Sequence, residues 1–300
     1  MSRARGVVAD LWRDKFAFLA VLFLLVLVLA ALFAPLVAPH DPAAQSLAGR
    51  LLPPGWSKGG DWSHPLGTDN LGRDVLSRVI HGSRVSLTVG LAVVLFSGLL
   101  GVGLGLLAGY RGGRLDAVVM RAVDTQTAFP GLLLALTILA ALGPSVTTVI
   151  VVLGLNGWMV YARVARATVL SIKEMPYVEA AEVVGCRPRR VVLRHIFPNL
   201  VSPVMTLAIL ELARIVLTEA TLSFLGVGIQ PPDTSWGLDV AIGKDYVYSA
   251  WWLVTFPGLA IALTVLSVNL SASWLRVYTD PEERDKQFAA LAIAAEGRAR

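Results

Sequence analysis

Residues 175–200 read MPYVEAAEVVGCRPRRVVLRHIFPNL and separate two long apolar runs. Pro176 fits the first turn of a helix, where its missing N–H costs little. A short helix is expected over 177–184, with Glu179 near its positive N-terminal end. Gly185 fits the left-handed residue that closes such a helix. Pro188 is expected to open a second short helix, with Val191, Val192, His195 and Ile196 on one side at helical spacing. Pro198 is expected to end or redirect it. Two short helices meeting at a glycine make a compact, half-apolar knob with a basic rim, a shape that suits a pocket on another protein.

The rest of the chain says where that knob sits. Of 300 residues, 55% are hydrophobic and only 16% charged, and mean hydropathy is +0.67. The surface of a soluble domain needs more charge than this, so an all-α integral membrane protein is expected. Apolar runs place spans at 16–38, 85–110, 145–165, 199–221 and 250–275, with another kinked near Pro130 and ending at Leu142. A span needs roughly 20 apolar residues, which gives about six transmembrane helices. The first run exceeds the apolar core of about 7–15 residues in a cleaved signal peptide, so it is read as an uncleaved span. Gly101, Gly105 and Gly109 recur every four residues on one face, a spacing that lets helix backbones approach closely in lipid. Reading Gly101, Gly103 and Gly105 as a dinucleotide fingerprint fails, because no strand precedes them.

The net charge is +5. The arginines flank apolar runs instead of forming one block, which excludes a nucleic-acid partner and points to orientation by basic loops. Arg3, Arg5, Arg13 and Lys15 precede the first span. Lys173, Arg187, Arg189, Arg190 and Arg194 make 166–198 the densest basic loop, so that face and both termini are expected to be cytoplasmic. Arg50, Lys58, Arg73, Arg78 and Arg84 pull the other way, in what this topology makes the first outer segment. The single Cys186 cannot form an internal disulfide.

Glu211 and Arg214 stand at i,i+3 spacing inside the fifth expected span, where they can pair on one face. Glu219 lies nearer its outer end. Charges at such depth are expensive and face a bundle interior or a wet cavity. Either the pair lines a translocation path and meets charged ends of a substrate, or it is a buried pair that fixes helix orientation. Trp236, Tyr246, Tyr248, Trp251 and Trp252 suit the membrane interface. Residues 64–78 read HPLGTDNLGRDVLSR, in which Thr68 and Asp69 offer caps and Asx turns and Asp69, Arg73 and Asp74 can pair locally. A metal at His64 and Asp69 is one reading of that stretch. A hydrogen-bonded turn leading into an interfacial helix is the one expected, because no further His or Cys lies nearby in sequence. No metal ligands are therefore assigned, and His40, His64, His81 and His195 are scattered.

The 175–200 stretch resembles the EAA loop of ABC-importer permeases. The pattern YVEAAEVVG at 177–185 followed by RHIFPN at 194–199 is similar to the oligopeptide/dipeptide/nickel branch of that family. HPLGTDNLGRDVLSR, EATLSFLG at 219–226 and QPPDTSWG at 230–237 resemble further segments of the same branch. The ending SASWLRVYTDP at 271–281 departs from the branch's pattern, keeping only Leu275-Arg276 and Asp280-Pro281. The resemblance implies a type I ABC importer transmembrane domain and a division of the chain into three parts. Residues 1–84 would hold the N-terminal tail, first span and outer segment. Residues 85–281 would form the transport domain, and 282–300 a cytoplasmic tail.

It further implies a plasma-membrane (inner-membrane) permease for di- or oligopeptides, with nickel or another small solute as the alternative. Its partners would be a paralogous second permease, two ABC ATPase subunits and an extracytoplasmic solute-binding protein, with membrane lipid around them. Glu179, Ala180, Ala181, Gly185, Arg187 and Pro198 would be the ATPase-coupling residues, and Glu211, Arg214 and Glu219 would line the path. No GxxxxGK[ST] loop is present, and neither HExxH nor GxSxG occurs. The chain is therefore expected to have no catalytic residue and no cofactor of its own, with ATP and Mg used by the partner ATPases. An ion-coupled secondary transporter is the competing class. It needs inverted repeats around a midplane site, and no clear internal repeat is seen.

Overall fold

The computed structural model describes residues 14–279; the rest of the basic tail at 1–13, the Asp280-Pro281 pair and the tail at 282–300 lie outside the described residues. Among the described residues every regular element is a helix, apart from one isolated bridge between Thr68 and Asp74. Five helical runs are long and apolar enough to cross a membrane. They are α1 (Lys15–Leu32), α3 (Val75–Arg111), α6 (Val146–Lys173), the continuous run Pro188–Phe224, and α11 (Trp252–Thr279). A short α2 (Ala34–Val37) extends α1 after a break.

The third expected span is broken more sharply than a kink. α4 (Gly113–Thr127) and α5 (Gly131–Leu142) meet at 84°. α5 has 12 residues, so at about 1.5 Å per residue it covers only about 18 Å of a hydrocarbon core near 30 Å thick. α4 is amphipathic and lies against α6, tied by Arg166 to Asp116 and by Arg163 to Asp124 at 3.3 Å. Counted as one bent span, the pair brings the total to six.

α3 starts at Val75, earlier than hydropathy alone suggests, because Asp74 caps it by accepting from the Ser77 amide at 2.8 Å. A boundary at 84/85 therefore falls inside a continuous helix. α3 and α6 share the most extensive helix–helix interface. The glycine stripe sits in it: a Cβ on Gly101 would lie 2.2 Å from the Trp158 carbonyl oxygen, and one on Gly105 2.3 Å from that of Ala162. Gly105→Leu is therefore expected to force the two backbones apart. Overpacking typically costs about 1–3 kcal/mol, and here the obstacle is backbone. A clear loss of folded yield and melting temperature in detergent should follow, whereas Gly103→Ala, whose Cβ meets open space, should behave as wild type.

At the far end of α3 from the knob, residues 39–74 form a compact cap. Ser46 donates its amide to the Leu71 carbonyl (3.1 Å), Leu51 to that of Asp69 (3.0 Å) and Leu52 to Thr68 Oγ1 (2.9 Å). Trp236 and Trp252 belong to this construction and not to an interfacial belt. Both are buried; the Trp236 indole donates to the Val79 carbonyl (2.9 Å) and the Trp252 indole to that of Thr68 (3.0 Å). Trp251 and Tyr248 are exposed, as an interfacial position requires.

Candidate functional site

The knob is built on α7 (Pro176–Val183) and α8 (Pro188–Val191), each with a proline in its first turn. α7 ends in a Schellman closure. Gly185 has φ +82°, its amide donates to the Glu182 carbonyl at 2.9 Å, and the Cys186 amide reaches back to Ala181 at 3.0 Å. This pair of reverse bonds satisfies the last carbonyls of a helix and needs a left-handed residue between them. The chain then turns into α8.

Pro198 does not end the helix that Pro188 opens. A single π turn at Val192–Ile196 follows α8, with the Phe197 amide bonded to the Val192 carbonyl, and α9 (Phe197–Phe224) continues from it. A proline lacks the N–H and would clash with the carbonyl four residues back. The wider turn just before Pro198 absorbs that conflict, a common device where a helix is bent at a functional segment. The knob is thus one short helix, α7, plus the N-terminal extension of the fifth span.

It is anchored firmly. Val178, Val191, Ile196 and Leu200 are buried against Ala165, Val169 and Ile172 of α6, with Val102, Leu106 and Tyr110 of α3 packed on the same cluster. Lys173 donates to the Tyr110 carbonyl at 3.0 Å. Asn199 bridges α7 to α9, donating to the His195 carbonyl (2.7 Å) and to the Tyr177 hydroxyl (3.3 Å). His195 sits 6.3 Å from the Tyr177 ring, a packing position. Of the residues singled out, Glu179, Ala180, Gly185, Arg187 and Pro198 are exposed and Ala181 is half-buried. Val183 and Val184 at the tip are 82% and 83% exposed. Arg187, Arg189, Arg190 and Arg194 line an open cleft with Leu193 and Pro198. The knob is therefore rigid below, bare and apolar at its tip, and basic along one flank.

The intramembrane charges fall into two separate groups. Arg214 donates Nε to Glu211 Oε2 at 2.9 Å and Nη2 to the same oxygen. The Glu211 side chain is 9% exposed and that of Arg214 49%, so the guanidinium opens onto the surface of this chain midway along α9. Glu219 is not part of that opening. It lies two turns away and is fully buried, accepting from Ser86 of α3 at 3.2 Å and from Ser223 at 2.7 Å. Ser223 in turn accepts from the Ile229 amide at 3.0 Å. Glu219 joins α3, α9 and the turn after α9.

The cap holds what sequence spacing did not bring together. Asp69 pairs with Arg73 at 2.6 Å, as its local spacing suggests, and Arg78 reaches Asp239 on α10 (Trp236–Gly243), 161 positions away. Burial pushes the Asp239 carboxyl above the usual carboxylate range, against the pull of the Arg78 guanidinium. His64 lies beside Asp74, not Asp69, with Nδ1 3.0 Å from Oδ1. His40 joins them from the segment after α2, its ring 4.6 Å from that of His64. No local pattern signals either long-range meeting.

The chain matches two families. Residues 101–285 match the family described as binding-protein-dependent transport system inner membrane component, and residues 2–54 match the N-terminal TM domain of oligopeptide transport permease C. Among similar proteins, the dipeptide transport system permease protein DppC of Escherichia coli is 44% identical over 270 residues, covering 90% of each chain. The di/tripeptide transport system permease protein DppC of Pseudomonas aeruginosa is 42% identical over 269 residues, 90% of this chain and 89% of the relative. A probable D,D-dipeptide transport system permease protein of Escherichia coli is 40% identical over 268 residues, 89% and 88%. With its helical spans and its basic loop, this chain belongs to the binding-protein-dependent transport system inner membrane components, the permease family of type I ABC importers, on its oligopeptide/dipeptide/nickel branch.

Proposed function

We propose that the chain is the permease subunit of an ATP-driven importer of di- or oligopeptides. It forms half of a translocation pathway with a paralogous sister permease. Two ATPase subunits grip the knobs from the cytoplasm, and an extracytoplasmic solute-binding protein delivers substrate. The observation that carries this reading is the knob: a rigid, exposed handle packed on α3, α6 and α9, so that a push on α7 moves three spans together. The peptide substrate rests on the names of the relatives, which are peptide permeases.

Orientation follows from the same loop. Its unpaired breadth of arginines favours the cytoplasmic side. The opposing cations of the first outer segment weigh less, because Arg73 and Arg78 are buried and matched by Asp69 and Asp239. In this scheme the chain does no covalent chemistry. Nucleotide and Mg belong to the ATPases, and both termini are cytoplasmic.

The test is reconstitution with the sister permease, the ATPases and the binding protein in proteoliposomes. Uptake of a labelled dipeptide is expected to require ATP and to survive a protonophore. Uptake driven by a proton gradient without ATP would refute the reading, and ATP-driven uptake of nickel alone would replace the substrate.

Arg214 gives a second measurement. Its guanidinium spends Nε and Nη2 on Glu211 and leaves its other edge toward the surface. In a sister-paired pathway that edge meets the carboxylate end of a peptide. Hydrogen bonds to charged groups contribute about 1.5–3 kcal/mol, so Arg214→Gln is expected to raise the KM for peptide uptake about tenfold. Wild-type uptake with unchanged substrate preference would leave the pair a purely structural one.

A further inference from the structure

We propose that His40, His64 and Asp74 form a binding site for a divalent transition metal of the zinc class, set in the cap at the N-terminus of α3. The three side chains come from three separate segments. His40 follows α2, His64 lies in the cap, and Asp74 is the residue that caps α3. One ligand atom from each lies within 4.8 Å of the other two. His64 Nδ1 is 3.0 Å from Asp74 Oδ1, and His40 Nδ1 is 3.9 Å from Asp74 Oδ2.

Those spacings suit a metal. Zinc binds imidazole nitrogen and carboxylate oxygen at about 2.0–2.2 Å, and tetrahedral ligands at that radius lie about 3.4 Å from one another. The observed 3.0 and 3.9 Å run to the two different oxygens of Asp74 and lie either side of this value, so small rotations of the rings and of the carboxylate would bring both nitrogens round one ion. Three protein ligands leave a fourth position for water. The approach is open, because the side chains of His40 and His64 are 39% and 21% exposed while that of Asp74 is 1% exposed.

The frame is held before any ion arrives. Ser77 donates both its amide (2.8 Å) and its hydroxyl (2.7 Å) to Asp74 Oδ2, and the same hydroxyl oxygen accepts the His40 amide at 3.0 Å. Such outer partners fix ligand orientation and commonly tune metal affinity. The two imidazole rings are stacked, 4.6 Å apart and tilted by 32°, with both Nδ1 atoms toward one carboxylate. Two nitrogens and one carboxylate oxygen favour zinc or nickel over magnesium or calcium, which take oxygen shells. Binding uses the lone pair of each Nδ1, with the ring proton carried on the other nitrogen.

In function such an ion staples the linker after the first span and the cap to the start of α3, without entering the transport path. The test uses the full chain in nanodiscs, purified on a tag free of histidine and stripped with EDTA. Calorimetric titration with Zn²⁺ is expected to show one ion per chain, with Mg²⁺ and Ca²⁺ silent, and Co²⁺ is expected to give tetrahedral visible bands. His40→Gln and His64→Gln should each weaken Zn²⁺ about 100-fold or more, a larger loss than outer partners cause, while keeping the wild-type melting temperature in EDTA. His40→Gln is the safer of the two for folding, since that ring is the more exposed. Absence of stoichiometric Zn²⁺ binding, or binding that persists in the double variant, would overturn the proposal.

Discussion

Gly185→Val is expected to leave the protein in the membrane and to lower transport-coupled ATP hydrolysis of the reconstituted importer about tenfold or more. The physical cause is backbone strain alone. A Cβ at this position meets nothing within 4 Å, yet φ is +82°. Left-handed conformations cost an ordinary residue about 1–2 kcal/mol, and a β-branched one is a genuine outlier there. The cheapest relief is to open the Schellman closure, losing the bonds from Gly185 to Glu182 and from Cys186 to Ala181. α7 would then lose its fixed angle to α8, although Val178 keeps it against the bundle.

A handle at the wrong angle transmits less of the ATPase motion, and about 1.4 kcal/mol of lost docking is tenfold. Gly185→Asn is the companion variant, because asparagine tolerates this conformation; it should retain most of the coupling. The readout is substrate-stimulated ATPase against basal ATPase, with membrane content measured by blotting. Normal coupling in the valine variant would count directly against a docking role for the knob.

The knob was the most legible part of this chain, and the reason is local. Pro176, Gly185 and Pro188 each act on their own backbone, so their effect survives without knowledge of the neighbours. The α3–α6 stripe was legible for a similar reason, since helical spacing alone places Gly101, Gly105 and Gly109 on one face. Of the two effects expected of Pro198, ending the helix failed, because a π turn that no propensity signals carries the helix past it. The turn before α3 and a helix after it were legible, but the continuity of that helix with the second span was hidden, because hydropathy sees lipid-facing residues, whereas Val75–Arg84 is held by its Asp74 cap and its packing in the polar cap. Trp236 and Trp252 look like interfacial anchors by composition. Only the fold reveals that their indoles are satisfied by buried carbonyls. His40 joined to His64, and Arg78 joined to Asp239, are matters of tertiary closure.

That last pair supports the prediction with the largest expected effect on stability. Arg78 is buried and is shared among three partners: its Nε donates to Asp239 at 2.9 Å, Nη1 reaches the Pro42 carbonyl at 3.3 Å, and Asp69 lies 3.8 Å away. Among the described residues the other hydrogen-bond donor to Asp239 is the Thr234 hydroxyl, at 3.4 Å from each oxygen. Arg78→Met is therefore expected to leave Asp239 buried without its ion-pair partner, with only the more distant pull of Arg73, and to cost about 3–5 kcal/mol, the usual penalty for breaking one side of a buried pair. Asp69 suffers less, because Arg73 still holds it.

The double variant Arg78→Met with Asp239→Leu removes both charges, and replacing a whole buried pair with apolar groups is often neutral. It should recover most of the melting temperature in nanodiscs. Arg78→Lys keeps the charge but loses the fork that reaches Asp239 and Pro42 together, and should fall between. The series separates a charge effect from a packing effect, since loss of packing alone predicts no rescue by the second substitution. If the double variant is as unstable as Arg78→Met, the clamp between α3 and α10 is held by side-chain shape and not by the ion pair.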